Sequence, residues 1–501
     1  MTAYSSDTAL PRTRLARIVD SRVLGLPWPL AVFCLAQLLI WIIMPLMFTR
    51  SMHASTSELV MWGRDFYITN YKHPALVSWV MDGAFGLFGV HLWVLYLVGQ
   101  IFVISTYVFV YLLGRALLDE TRAIIAPMLL AALVYFGDYS TKFNHNLVQL
   151  PFWAGFAFFL WQASETAKLR WWLLASAMAA LGLYGKFSSA MPIAFGCAWI
   201  VADPKTRAQL RSWQPYAGLA LFVAMMLPLV YDLWRTHFLT FTWISVEADD
   251  KGVSWRSFYR HQGAYLLRIL IVAALAGALG FRRAAPETSP AKADRRKLIY
   301  LLLAGAGPLL LTLLMAPFLS MRPSWTVPMF SFMGLVLLGL WPRAVPRRVT
   351  LWATLVPVAV MLYMAVDDAR DFIAESKGDL PGQYYYPEAE IAETFTKIWH
   401  EAVQQPLKIV GGNHYTAALV GVRSEDRPSM FSDLNPVESP AITPDRIARE
   451  GMLIVWQDGY KWTPPAEWLA GREVKQQEIP WSDAPGAQPI VIHYVIVPPK
   501  S

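Results

Sequence analysis

The sequence predicts an all-α polytopic membrane domain followed by a small α/β soluble domain, and three observations predict it. The 501 residues are 55% hydrophobic and only 16% charged, against about 25% charged in an ordinary soluble domain, and mean hydropathy is +0.37. Apolar runs long enough to cross a bilayer recur along the first three quarters of the chain. Beyond residue 367 the composition changes, and helical and strand-like periods alternate.

A helix needs roughly 17–25 apolar residues to cross about 30 Å of hydrocarbon. Clear candidates cover 27–48, 92–114, 147–165, 215–235, 264–281, 298–318, 325–341 and 350–366, with shorter ones at 123–137, 171–185 and 188–202. The stretch 74–89 is apolar but short, broken by glycine, and carries Asp82. Loop charge decides its place. With the basic N-terminus in the cytoplasm and 74–89 left out, eleven spans result. Arg115 and Arg122, Lys168 and Arg170, Lys205, Arg207 and Arg211, the basic run 282–297, and Arg343, Arg347 and Arg348 then share one side, as the positive-inside rule requires. If 74–89 crosses, the strongest cluster falls outside. It therefore reads as a helix in the outer interface, with a tilted twelfth span as the alternative.

This gives a cytoplasmic tail over 1–26, a transmembrane domain over 27–366 with a first external loop at 49–91, and a periplasmic α/β domain over 367–501. In that last domain PEAEIAETFTKIWHEAV has helical spacing, whereas LKIVGG, MLIVWQ and PIVIHYVIV read as strands. The formal charge of +7 is a topology signal, because its residues cluster in short loops; nucleic acid is not an expected partner. The first 26 residues are basic and the run after them is full length, so it reads as an uncleaved span. Cys34 and Cys197 both lie in apolar runs, and a disulfide framework is not indicated.

The residues able to carry chemistry sit in the external loops. The first loop places Glu58, Arg64, Asp65, Lys72 and His73 beside the membrane. Glu58 and Asp65 are seven apart, so on one helix they share a side. Such carboxylates can supply a general base and hold a polar substrate, and Lys72 offers a compact cation to a phosphate. The bland reading is a solvated interfacial loop. In the second loop Asn144, His145 and Asn146 combine donors and acceptors suited to sugar hydroxyls, or Asn146 caps a helix. Lys186 and Arg322, at span boundaries, either bind an anion or snorkel. The third loop is a solvated segment or a lid. No zinc spacing, Walker loop, GxSxG elbow or dinucleotide fingerprint is present, and no metal or cofactor is predicted.

Taken in order, WGRD, NYKHPAL, FNHN before an apolar run, and GLYGKFSSA resemble the GT-C membrane glycosyltransferases. The resemblance is to the bacterial branch related to protein O-mannosyltransferases and to the transferases that add aminoarabinose or galacturonic acid to lipid A. It covers about 27–350. It implies eleven to thirteen spans with interfacial helices in the first loop, and inverting transfer from a polyprenyl-phosphate sugar outside the cytoplasm. It implies that Glu58 deprotonates or orients the acceptor, with Asp65 a second acidic position. Lys72 would contact the donor phosphate, joined by Lys186 and Arg322, while His73, Asn144, His145 and Asn146 would bind sugar or acceptor. The sequence departs from the family where Ser55 and Ser57 replace acids, where Asn146 stands for an Asp, and where Pro-Pro becomes Pro74-Ala75.

The expected function is thus a bacterial inner-membrane glycosyltransferase that takes its sugar from a polyprenyl-phosphate donor. The acceptor is an envelope lipid, glycan or protein. Two other classes compete: a transporter or flippase of lipid-linked saccharide, and a non-catalytic scaffold binding polyprenyl lipids. Few charges lie inside the spans and the halves show no pseudo-symmetry, which argues against the transporter; the missing acids are what favours the scaffold.

Overall fold

The computed structural model describes residues 21–251, 253–281, 294–319, 321–376, 382–459, 461–481 and 487–500. Most of the expected N-terminal tail, and residues 282–293 of the basic run, lie outside them. Among the described residues six helical stretches are long and apolar enough to span a bilayer: α1 (Trp28–Phe48), α4 (Leu92–Leu117), α10 (Gln214–Arg235), α12 (Trp255–Phe281), the run Arg295–Met315, and α16 (Val349–Ser376). A seventh candidate is a bent pair, Pro323–Phe330 with α15 (Met333–Leu340), broken by 50°. The protein is a multi-pass membrane protein.

The helices numbered between these are shorter. They are α2 (Ala54–Arg64), α3 (Leu76–Phe88), α5 (Glu120–Met128), α6 (His145–Val148), α7 (Leu150–Thr166), α8 (Leu169–Gly185), α9 (Ala190–Ala202) and α11 (Leu239–Lys251). The run Arg295–Met315 comprises α13 (Arg295–Leu301) and α14 (Gly307–Met315), joined by a π-turn. The expected span 123–137 is not one helix, because α5 passes at Leu129 into 3₁₀ turns over 129–132 and 134–136. The expected interfacial helix is α3. Its 13 residues rise only about 20 Å, too short for the hydrocarbon core.

Span faces follow helical spacing. On α1 the residues Leu35, Leu39, Ile43 and Met47 recur every fourth position and are exposed, a lipid-facing stripe, whereas Leu30, Phe33, Gln37 and Trp41 are buried. Gln37 is satisfied inside the bundle: its amide donates to Gln100 Oε1 at 2.8 Å and to the Phe136 carbonyl at 3.1 Å. α1 packs on α4 and α16, and α7 lies between α4 and α8.

The two ends of the bundle differ. At one end Arg22 and Arg115 meet Glu120, and Arg296 grips Asp203 with two nitrogens and also meets Glu165, beside Lys205. These are loops expected to share a side. At the other end lie the first loop, Lys186, Arg322 and the C-terminal domain. That domain has helices α17 (Glu388–Val403), α18 (His414–Arg423) and α19 (Pro444–Glu450). Its strands are β1 (Ile409–Gly412), β2 (Ser429–Ser432), β3 (Met452–Gln457), β4 (Lys475–Ile479) and β5 (Ile490–Val497), in sheet order β2-β1-β3-β5-β4. β1 is parallel to β2 and β3; β5 is antiparallel to β3 and β4. The three segments read as strands from sequence are β1, β3 and β5. Cys34 and Cys197 are both free.

Candidate active site

A cavity of about 670 Å³ opens at the end of the bundle that carries the first loop. α2 supplies one wall. Glu58 and Trp62 are four residues apart on it and so share a face, and both line the cavity. The turn after α2 supplies Lys72 and His73. Its shape is local: Asn70 Oδ1 accepts from the backbone N–H of Lys72 at 2.8 Å and of His73 at 2.7 Å. Two distant residues hold the turn in place. Asp232 of α10 accepts from Thr69 N–H and from its hydroxyl, at 2.9 and 2.6 Å, and Thr240 donates to the Asn70 carbonyl at 2.8 Å.

Lys72 Nζ lies 2.7 and 3.0 Å from the two oxygens of Glu58. Tyr71 donates its hydroxyl to Glu58 at 3.1 Å. The ammonium stands 4.9 Å from the Tyr71 ring centre, 5.5 Å from Trp62 and 5.7 Å from Trp243, a cage whose π-faces favour a cation. Glu58 is buried, so pairing meets the cost of burying its charge.

Opposite, the chain enters α6 with Asn144 as its cap: Asn144 Oδ1 accepts from the N–H of Asn146 and Leu147. The capping residue is therefore Asn144 and not Asn146. Asn146 reaches into the site, donating to Tyr135 at 2.6 Å and accepting from Lys186. Lys186 follows the last residue of α8. Burial, then the nearby Arg322, push its pKa down to about 7. The rings of His73 and His145 meet with centres 4.0 Å apart and planes tilted by 58°. Burial most of all, then for His73 the neighbouring His145 and the lysines Lys186 and Lys72, and for His145 the lysine Lys186, hold both imidazoles well below their usual 6.5, so both are neutral. Among the described residues, His73 Nδ1 and both ring nitrogens of His145 have no hydrogen-bond partner. Buried polar atoms left unpaired are costly, and these line the cavity.

Of the nine residues expected from sequence, eight line this cavity: Glu58, Lys72, His73, Asn144, His145, Asn146, Lys186 and Arg322. Asp65 does not. α2 ends at Arg64, Asp65 is its C-cap, and Phe66 turns back with φ 52°, so the seven-residue spacing no longer places both acids on one face. Asp65 instead accepts from Ser429 Oγ at 2.5 Å and faces Arg446 at 3.6 Å, under the C-terminal domain. Several lining residues escaped the sequence reading: Trp62, Tyr135, Lys142, Trp243, His414 and Tyr415. So did Asp232, although an acid inside an apolar span is itself a signal.

The family described as dolichyl-phosphate-mannose-protein mannosyltransferase matches residues 72–231, a range holding Lys72, His73, Asn144, His145, Asn146 and Lys186. The whole fold resembles ArnT from Cupriavidus metallidurans bound to undecaprenyl phosphate. The TM-score is 0.59 at 12% identity, covering 92% of this chain and 97% of that one. The apo state of ArnT from the same organism gives 0.57 at 12% identity, with the same coverage. The chain shares the fold of ArnT over nearly its whole length. No curated protein matches it in sequence. Within this fold the first loop faces two ways. Glu58 and Lys72 face the cavity, while Arg64 and Asp65 face the C-terminal domain.

Proposed function

We propose that the chain is a membrane glycosyltransferase that moves a sugar from a polyprenyl-phosphate donor to an envelope acceptor on the periplasmic face. One observation carries the reading: a cavity at the ends of apolar helices joins a carboxylate to a lysine (Glu58 and Lys72), with three more basic side chains and two neutral histidines facing it. The lipid tail of the donor stays in the bilayer while its phosphate reaches Lys72, Lys186 and Arg322. These cations stabilise charge as the phosphate leaves. A phosphate competes with Glu58 for Lys72, and its arrival frees Glu58 to hold the acceptor hydroxyl on the far side of the anomeric carbon. The unpaired nitrogens of His73 and His145 suit sugar hydroxyls, since a neutral imidazole both donates and accepts.

The test incubates the membrane fraction with a radiolabelled polyprenyl-phosphate sugar. Label moving to an acceptor supports the transferase. Label changing leaflet unaltered identifies a flippase, and neither outcome leaves a lipid-binding scaffold.

A further inference from the structure

One wall of the cavity belongs to the C-terminal domain. His414 is the first residue of α18, capped by Asn413, and it lines the cavity. The turn after β2 brings Asp433 against it. Asp433 Oδ2 lies 3.1 Å from His414 Nδ1, and Oδ1 accepts from the His414 backbone N–H at 3.2 Å. Asp433 and Leu434 both have left-handed backbones, with φ of 49° and 54°. Such a backbone is strained and persists only where its surroundings impose it. Here the imposition is visible: Asp433 N–H bonds to the Gly412 carbonyl at 2.8 Å. Gly412 has φ 135°, and a Cβ there would strike the Val455 carbonyl. The strained turn thus aims a carboxylate at one nitrogen of a cavity-lining histidine.

An imidazole that donates Nδ1–H to a carboxylate presents Nε2 as a proton acceptor. His414 is 37% exposed, so Nε2 is reachable. Glu58 is placed differently. Before the donor arrives both its oxygens face the Lys72 ammonium; with Lys72 drawn to the phosphate one oxygen still accepts from Tyr71, which suits Glu58 to align a hydroxyl.

We propose that His414, oriented by Asp433, takes the proton of the acceptor hydroxyl while Glu58 aligns that hydroxyl. The inference rests on the transferase reading. The acceptor oxygen bonds to the anomeric carbon as the bond from that carbon to the phosphate oxygen breaks. The electron pair of the broken bond leaves with the polyprenyl phosphate. The hydroxyl proton moves to Nε2, and Asp433 stabilises the imidazolium.

Burial lowers the basicity of His414, but the bond to Asp433 and the charges of Glu58 and Asp433 outweigh it and the opposing Lys72, leaving its pKa above 6.5. Glu438, on the same roof, shares the field of Asp433, Lys72 and Glu58. The reacting form is the neutral imidazole, so kcat falls on the acid side as His414 protonates.

The test uses the full-length protein in membranes, with envelope fraction as acceptor. The donors are undecaprenyl phosphates carrying radiolabelled mannose, glucose, galacturonic acid or aminoarabinose. With whichever donor is used, His414→Ala lowers kcat about 10²-fold or more, leaves the donor KM near wild type, and removes the acid limb. Added imidazole restores part of the rate. Asp433→Asn keeps the limb but moves it to lower pH, because the carboxylate that favours imidazolium is gone. If His414→Ala does not fold, His414→Gln takes its place. Wild-type kcat with an intact acid limb in the His414 variant overturns the assignment and leaves the transferase reading standing. A wild-type protein that transfers none of the four sugars takes both down.

Discussion

Two surfaces of the first external loop, a few residues apart, are built on opposite terms. On the side that meets the C-terminal domain, charges are paired within the protein. Arg64 donates to the carbonyls of Gly421, Val422 and Pro428. Asp65 meets Ser429 and Arg446, and Asp82 meets Arg427 at 2.8 Å. Glu388 accepts from Met52 N–H at 2.9 Å and from Arg423 at 3.0 Å, and Arg423 also reaches the Val90 carbonyl. Helix packing is equally close there: a Cβ on Gly63 would lie 2.6 Å from the Asp82 Cβ. On the cavity side, three imidazole nitrogens of His73 and His145 are buried without partners among the described residues, and Lys186 is depressed to about 7. Paired charges hold a domain in place. The buried imidazole nitrogens that line the cavity carry a cost in stability, and the proposed function assigns them to a ligand.

The sharpest way to break this contrast is Glu58→Gln. On the cavity side it removes the charge that aligns the acceptor, and transfer falls about 10²-fold, while the Gln oxygen can still accept from Lys72 and the protein remains folded. Full activity in a radiolabel transfer assay removes Glu58 from the site. On the other side Glu388→Ala leaves the Arg423 guanidinium without its carboxylate, 19% exposed. Breaking such a pair costs about 3–5 kcal/mol, seen as a lower unfolding midpoint for the C-terminal domain.

Smaller effects separate the surfaces more finely. His145→Leu keeps the volume but loses both ring nitrogens, and the donor KM rises up to about tenfold. An unchanged KM says these nitrogens face no substrate. Lys186 binds an anion best when protonated, and it loses its proton as pH rises through about 7. Donor affinity therefore weakens above that pH, by up to about tenfold per unit, and Lys186→Gln flattens the dependence. A titration of donor binding from pH 6 to about 8.5 reads it. Asp65→Asn is the mildest: it weakens one charged hydrogen bond, costs about 1–2 kcal/mol of stability, and leaves kcat within about threefold of wild type. A large loss of kcat with stability intact would return Asp65 to the chemistry.

Much of the site was legible because its members announce themselves locally. Lys72 and His73 stand beside a proline, Asn144 and Asn146 stand at the mouth of an apolar run although the sequence alone points to Asn146 as the cap, and Lys186 interrupts two apolar runs. Asp65 misled because helical spacing extrapolates only while the helix lasts, and α2 ends one residue earlier. The roof was illegible for another reason. Nothing near His414 in sequence marks it; its meaning comes from Asp433 and from a cavity whose other walls are more than 80 residues away.

The sequence by itself determined the membrane class, the α/β tail and a short apolar helix within 74–89. Those follow from hydropathy, loop charge and element length, all sums over neighbouring residues. Only the tertiary structure decided which acid faces the cavity, which clamps the C-terminal domain, and that Asp232 holds the Lys72 turn. Those depend on where a helix stops and on contacts between segments from 160 to more than 300 positions apart, which no local pattern records.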